Sequence, residues 1–262
     1  MPQPTSSPTS PTPERTLHGK SAIVTGGATG IGRATVLRLV DAGAHVVFSY
    51  SRSAREAEET ESLARGRAGS ARAIRADVRA PTAIAAMVNQ AVHTQGRLDL
   101  LVNNAAVSPP VPAQSLGDLD AFTDELWDTV LAVNVRGAFA CARAAAPHLR
   151  AARGAVVNVG SIAGLTGEGS SLPYAVSKAA LHGLSKSLSR ALAPEVRVSC
   201  VVPGFVRTRW WDGREDVVEK VRRRSLLDEP TRPEDVAELI CNLALQHGLT
   251  GQLITIDGGQ TV

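Results

Sequence analysis

From residue 21 onward, short runs rich in β-branched residues alternate with longer stretches of helical period, and this rhythm restricts the fold of the 262-residue chain more than any single motif. The runs read SAIVT, HVVFSY, RAIRA, LDLLVN, GAVVNVG, VRVSCVVP and QLITID. Helical patterns fall near 31–42, 53–65, 81–95, 118–150 with an interruption near Gly137, 173–193 and 233–247. Strand and helix in succession make βαβ units, whose strands run parallel because the helix carries the chain back across the sheet. Most runs are apolar on both faces, as expected when helices cover both sides. The expected fold is a single-domain, doubly wound α/β sandwich around a seven-stranded parallel sheet, and a chain of this length suits one such domain.

Composition narrows the function. The 28 basic and 25 acidic residues give a net charge of only +3 and are dispersed. The densest basic run, KVRRRS at 220–225, has acidic residues on both sides, so a nucleic-acid surface is not expected. Cys141, Cys200 and Cys241 are far apart with no C-x-x-C spacing, and the six histidines include no close pair, which argues against disulfides and against a bound metal. Residues 1–16, MPQPTSSPTSPTPERT, are rich in Pro, Ser and Thr and read as a disordered tail. No apolar run approaches the roughly eighteen residues needed to span a bilayer, so a cytoplasmic protein is expected. The segment 204–232 breaks the rhythm with mixed composition and two adjacent tryptophans, Trp210 and Trp211. It reads as a lid over the carboxyl edge of the sheet, where ligands bind in open α/β folds.

At the first strand-to-helix junction the chain reads AIVTGGATGIGRA. Glycine allows a tight turn and a close approach of backbone to a phosphate, whose charge is favoured by the unpaired N–H groups and dipole at a helix N-terminus. The spacing is G-x-x-x-G-x-G, different from the G-x-G-x-x-G fingerprint. A second feature lies in LPYAVSKAALHG, where Tyr174 and Lys178 are four apart and so share one face of a helix. A phenol is a poor acid or base at neutral pH, and a neighbouring ammonium is expected to lower its pKa. Ser170 or Ser171 would cap that helix, with Pro173 in its first turn. Ser161 directly follows the run GAVVNVG, so it should emerge at the same sheet edge.

With these residues in view, the chain from about residue 17 to the end resembles the short-chain dehydrogenase/reductase family, including its 3-oxoacyl-carrier-protein-reductase-like members. TGGATGIG at 25–32 matches the family's T-G-x-x-x-G-I-G. ADV at 76–78, NNAA at 103–106, VNVRG around Asn134, Ser161, Y-x-x-x-K at Tyr174 and Lys178, PGFVRT at 203–208 and TGQLITIDGG near the end follow in the family's order. The one departure is Ala106, where the pattern most often has glycine. The resemblance implies a Rossmann-type fold and hydride transfer between a nicotinamide cofactor and a carbonyl or secondary alcohol. It implies catalytic roles for Asn134, Ser161, Tyr174 and Lys178, with Tyr174 as general acid and base, Ser161 polarising the carbonyl and Asn134 holding a relay water. The cofactor would be held by Gly26, Thr29, Gly30, Ile31 and Gly32, by Tyr50, Ser51, Arg52 and Ser53, and by Asp77, Val78, Asn103 and Ala105. Pro203, Gly204, Val206 and Thr208 would complete that site with Tyr174 and Lys178, Thr208 reaching the carboxamide.

Which cofactor is a question of charge. NAD binders place a carboxylate at the end of the second strand, which would repel a 2′-phosphate. Here the chain reads VVFSYSRSAR, with Tyr50 at the acidic position and Arg52 close behind, so NADP(H) is expected, NAD(H) being the other choice. Arg33 is a further possible source of charge. Phe205, Trp210 and Trp211, with Ser161, are the expected substrate contacts, as an apolar wall or as lid packing. The alanine-rich stretch AFACARAAAPHLRAA allows close helix approach and, through the resemblance, a homotetramer or homodimer. Two other functions stand beside the reductase. One is an NAD-dependent dehydrogenase of a sugar or secondary alcohol, and the other is a non-catalytic dinucleotide-binding regulator, which would not need all four catalytic residues.

Overall fold

The computed structural model describes residues 17–109, 117–208 and 215–262. The expected tail at 1–16 lies outside them, as do Trp210 and Trp211. The seven strands are β1 (Ser21–Val24), β2 (His45–Tyr50), β3 (Ser70–Arg75), β4 (Leu100–Asn103), β5 (Ala155–Val159), β6 (Arg197–Pro203) and β7 (Leu253–Ile256). They form one sheet in the order β3-β2-β1-β4-β5-β6-β7, and every pairing is parallel. The order reverses between β1 and β4, so the helices leaving their carboxyl ends diverge and open a crevice there. This is the doubly wound sandwich anticipated from the rhythm of the sequence.

The helices are α1 (Gly30–Asp41), α2 (Ala54–Ala64), α3 (Pro81–Gln95), α4 (Asp124–Leu131), α5 (Ala138–Ala152), α6 (Ala163–Thr166), α7 (Leu172–Leu192), α8 (Glu215–Arg222) and α9 (Pro233–Leu245). Two buried clusters flank the sheet. On one face Val36, Leu39 and Val40 of α1 meet Ile240 of α9 over Val24 and Phe48. On the other, Met87, Leu149 and Leu188 pack over Ile23, Leu101 and Val156. Burying each such side chain contributes about 1.5–3 kcal/mol, which fixes the layers and hence the carboxyl edge.

The interruption expected near Gly137 is a widening of the helix. Residues Ala132–Gly137 form a π-helical segment that joins α4 to α5 without a break. Gly137 has no room for a side chain, because a Cβ there would lie 2.7 Å from Cγ2 of Val78. The extra residue per turn re-aims side chains, a device common at functional sites. Within the segment expected as a lid, α8 is helical, and Val206 forms an isolated parallel bridge with Thr231.

Candidate active site

The glycine turn is built by exclusion of side chains. Gly26 and Gly30 have φ of +66° and +53°, which disfavours any residue with a Cβ. A Cβ on Gly32 would sit 2.1 Å from the carbonyl oxygen of Gly26. Helix α1 starts at Gly30 behind Thr29, with no side-chain cap and no acidic residue in its first turn. Its N-terminal N–H groups are therefore left to an outside acceptor. Ile31 packs against the core below. The methyl of Thr208 lies 3.2 Å from where a Cβ of Gly30 would be, so the start of the segment after β6 rests on this turn.

A residue that sequence reasoning passed over holds the turn in place. The Asn104 side-chain amide donates to the carbonyl oxygens of Thr25 and Gly26, at 2.9 and 3.0 Å. The Thr25 hydroxyl oxygen accepts from the N–H groups of Asn104 and Ala105, both at 3.0 Å. Asn103, singled out from the same NNAA motif, turns the other way: its amide donates to Ala138 O at 3.2 Å and to Asn158 Oδ1 at 2.9 Å, deep in the sheet. The Asn103 side chain is thus held within the sheet. The signal was available, since successive side chains of a strand point to opposite sides, and one of the two asparagines had to face the turn.

At the end of β2, Ser51 and Arg52 are exposed and Tyr50 and Ser53 are half-buried. The guanidinium of Arg79 chelates Asp77 at 2.6 to 3.1 Å and, with smaller help from Arg52, holds that carboxyl below its ordinary range. Arg33 does not add to this charge, because it donates to Ala28 O, Glu56 O and the Glu59 carboxylate at 3.0 to 3.2 Å. Val78 is buried against Gly137.

The four expected catalytic residues gather at the ends of β4 and β5. Ser171 caps α7 by accepting from the Tyr174 N–H at 3.3 Å, which fixes the start of the helix one turn before Lys178. The Ser161 hydroxyl accepts from Ala163 N–H at 3.1 Å and lies near enough to the Tyr174 phenol to pull its pKa down. Lys178 is buried, donates from Nζ to Val159 O at 2.7 Å, and lies 5.6 Å from the centre of the Tyr174 ring. Asn134, in the π segment, pairs with Val107 through Oδ1 and Nδ2 and donates to Ser177 Oγ at 3.0 Å. Ser177 precedes Lys178 and donates to Tyr174 O at 2.7 Å, so Asn134 ties the loop after β4 to the helix that carries the pair.

The electrostatics differ from expectation. Burial pushes the Tyr174 phenol up to about 12, against the opposing pull of the Ser161 hydroxyl. Burial also pushes Lys178 down to about 8, with Cys200 opposing. The expected lowering of the phenol by the ammonium is therefore corrected: burial sets the direction of both shifts, and Tyr174 stands as a protonated phenol. Pro203 O accepts from Ile162 N–H at 2.9 Å, Gly204 packs 2.7 Å (from its ideal Cβ) against Asp257, and Phe205 N–H donates to Gln260 at 3.2 Å. Val206 is buried and bridges to Thr231.

A profile for a family described as Enoyl-(Acyl carrier protein) reductase matches residues 26–261. A 3-oxoacyl-[acyl-carrier-protein] reductase of Staphylococcus aureus is 33% identical over 92% of this chain and 97% of its own. The chain belongs to the short-chain dehydrogenase/reductase family. A short-chain dehydrogenase/reductase homolog of Bacillus subtilis is 59% identical over 49% of this chain and all of its own. The solved short-chain dehydrogenase/reductase of Serratia marcescens superposes with a TM-score of 0.86 at 36% identity, covering 94% of this chain and 99% of that one. Membership in the short-chain dehydrogenase/reductase family makes the chain an oxidoreductase that works with a nicotinamide cofactor on a small molecule. Among the described residues no three His, Cys, Asp or Glu cluster as for a metal, and no helix is long and apolar enough to cross a membrane.

The role of Asn104 in the glycine turn has a measurable consequence. Asn104→Ala strips two carbonyls of their donor, and an expected loss of about 1–3 kcal/mol should be seen by urea unfolding. Unchanged stability would show that the turn stands without this clamp.

Proposed function

We propose that the protein is an NADP(H)-dependent carbonyl reductase, with Tyr174 as proton donor, and that its substrate is a small ketone or 3-oxoacyl compound. One arrangement carries this reading: a protonated phenol, near Ser161 and one helical turn from a buried lysine, stands at the sheet edge that also holds the glycine turn. The residues suit a dinucleotide. Gly26, Gly30 and Gly32 let Ala105, Thr208 and Asn104 pack tightly around the turn, and the uncapped start of α1 offers N–H groups to a pyrophosphate. Thr29, Ile31, Asp77, Val78, Ala105, Pro203, Gly204, Val206 and Thr208 would complete the cofactor site, as the family resemblance implies. When bound, the nicotinamide supplies a hydride to the carbonyl carbon.

Ser161 donates to the carbonyl oxygen and steadies the negative charge that grows there as the π electrons move onto it. The Tyr174 O–H bond then breaks and its proton passes to that oxygen, giving the alcohol. A phenol near 12 remains protonated throughout the working range, and the alkoxide-like oxygen is basic enough to take the proton. Lys178, charged below about 8, stabilises the phenolate left behind. Asn134 holds the loop after β4 against α7 and so helps to fix the helix that carries Tyr174 and Lys178. Phe205, and by their place in the sequence Trp210 and Trp211, would give the substrate an apolar wall. The intact set of four residues supports an enzyme over a dinucleotide-binding regulator, which needs none of them.

The cofactor preference rests on Arg52, exposed beyond β2, and on Tyr50 standing at the end of that strand in place of a carboxylate. An assembly of two or four copies rests on exposed apolar side chains along α5 and α7, with Phe139, Leu172 and Val176 each 40% or more exposed.

Three outcomes test these readings. Tyr174→Phe should lower kcat on an accepted ketone by roughly 10²–10⁴-fold with the cofactor still bound, and near wild-type turnover would sink the assignment. Wild type should favour NADPH over NADH in kcat/KM, and Arg52→Glu should cut that preference by about 10- to 100-fold, the worth of a lost charge-assisted hydrogen bond; an equal or better efficiency with NADH in the wild type overturns the NADP reading. Light scattering at micromolar concentration should return the mass of two or four chains, and a monomer mass contradicts the assembly.

A further inference from the structure

We propose that His182 is a positioning residue for this reaction: wedged against Gly160 and Gly164 and one helical turn beyond Lys178, its ring keeps the Ser161 turn and the Lys178 side chain in register with Tyr174. The inference rests on the catalytic reading of those three residues. His182 is 5% exposed, and its Nε2 has no hydrogen-bond partner among the described residues. A buried polar atom without a partner costs free energy, so the ring is retained there at a cost.

The ring's neighbours are the two glycines on either side of Ser161. A Cβ on Gly160 would lie 2.6 Å from Nε2 of His182, and one on Gly164 would lie 2.9 Å from its Cε1. Neither glycine has a positive φ, so neither is there for its backbone angles. They are glycines because the imidazole, together with the backbone of α7 behind Gly164 and Cys200 Sγ beside Gly160, occupies the space a side chain would need. The segment that presents Ser161 is thus seated on the ring. Lys178 donates to Val159 O, the residue just before Gly160, so lysine and histidine grip adjacent points of one short stretch of chain.

Charge fits the same role. Burial, then Lys178 and Lys186, push His182 down to about 4, so between about pH 4 and about pH 8 the ring is neutral while Lys178 is charged. The titratable groups acting on the pair are Tyr174 and Lys186 on α7 and Cys200 on β6, whose thiol burial holds up at about 11. No carboxylate is among the groups acting on either residue. The imidazole therefore gives the buried ammonium a polar neighbour without adding a second charge. An apolar replacement would deepen the desolvation of Lys178, lower its pKa further, and let the ammonium be lost at a lower pH.

The test compares His182→Leu and His182→Gln with wild type in the full-length chain, on a ketone that the wild type reduces. His182→Leu should lower kcat by roughly tenfold or more with KM for the ketone little changed, and move the alkaline limb of the kcat profile down by about half a pH unit or more. His182→Gln, which restores a polar neighbour, should recover much of kcat and return the limb toward its wild-type position. If His182→Leu does not fold, His182→Met fills the space without a hydrogen-bond donor and is read in the same way. A Leu or Met variant with wild-type kcat and limb overturns the proposal. So does a Gln variant equally impaired with an unmoved limb, the mark of a merely structural role. A wild type that reduces no carbonyl with either cofactor sinks the catalytic reading itself, an outcome distinct from an active wild type whose His182 variants behave alike.

Discussion

Between Gly26 and Gly32 there is room for a hydrogen atom and nothing larger, and most of the site takes its position from that contact. The 2.1 Å that would separate a Cβ at residue 32 from the Gly26 carbonyl oxygen is far inside van der Waals distance. With glycine there, α1 comes close enough to β1 to leave its first N–H groups facing the crevice between β1 and β4. Asn104 closes the arrangement from β4, and Thr208 covers it from beyond β6. Three strand ends are thus referenced to one turn. The sheet supplies the common edge, and the turn decides what that edge can hold.

At the other end of the crevice, desolvation dominates. Two groups that would attract each other as phenolate and ammonium are both driven toward their neutral forms by burial, Tyr174 upward and Lys178 downward. Each unit of such a shift corresponds to about 1.4 kcal/mol. Burial thus keeps Tyr174 a protonated phenol near neutral pH, and a weaker acid than an exposed phenol.

Much of this was legible in the sequence because it depends on local pattern. Runs such as HVVFSY and VRVSCVVP read as buried parallel strands, and Ser171 with Pro173 marked the start of α7. A separation of four between Tyr174 and Lys178 sufficed to place them on one helix face. What the sequence hid depends on neighbours distant along the chain. The choice between Asn103 and Asn104 turns on which side of β4 faces β1, and Asn103 is claimed by Asn158, its register partner 55 residues away. The π segment at Ala132–Gly137 is a matter of how Val78 packs on Gly137. Spacing suggested that lysine would lower the phenol pKa; burial, which no spacing records, reverses the sign.

The bridge between Val206 and Thr231 has a consequence for how such a protein can diversify. Because residues 206 and 231 are already neighbours, with Arg207 N–H donating to Thr231 O at 3.3 Å, the chain between them leaves and returns at one point beside the cleft. Ser225 secures the return, donating to Gly258 O at 2.9 Å. Closing a loop of this kind costs entropy only logarithmically in its length, about 0.6 kcal/mol for each doubling. Insertions, deletions and wholesale changes of sequence in that excursion are therefore cheap for the fold, while the glycine turn and the Ser161 to Lys178 cluster stay where the sheet puts them. The scaffold separates what must stay constant for hydride transfer from what is free to drift toward a new substrate.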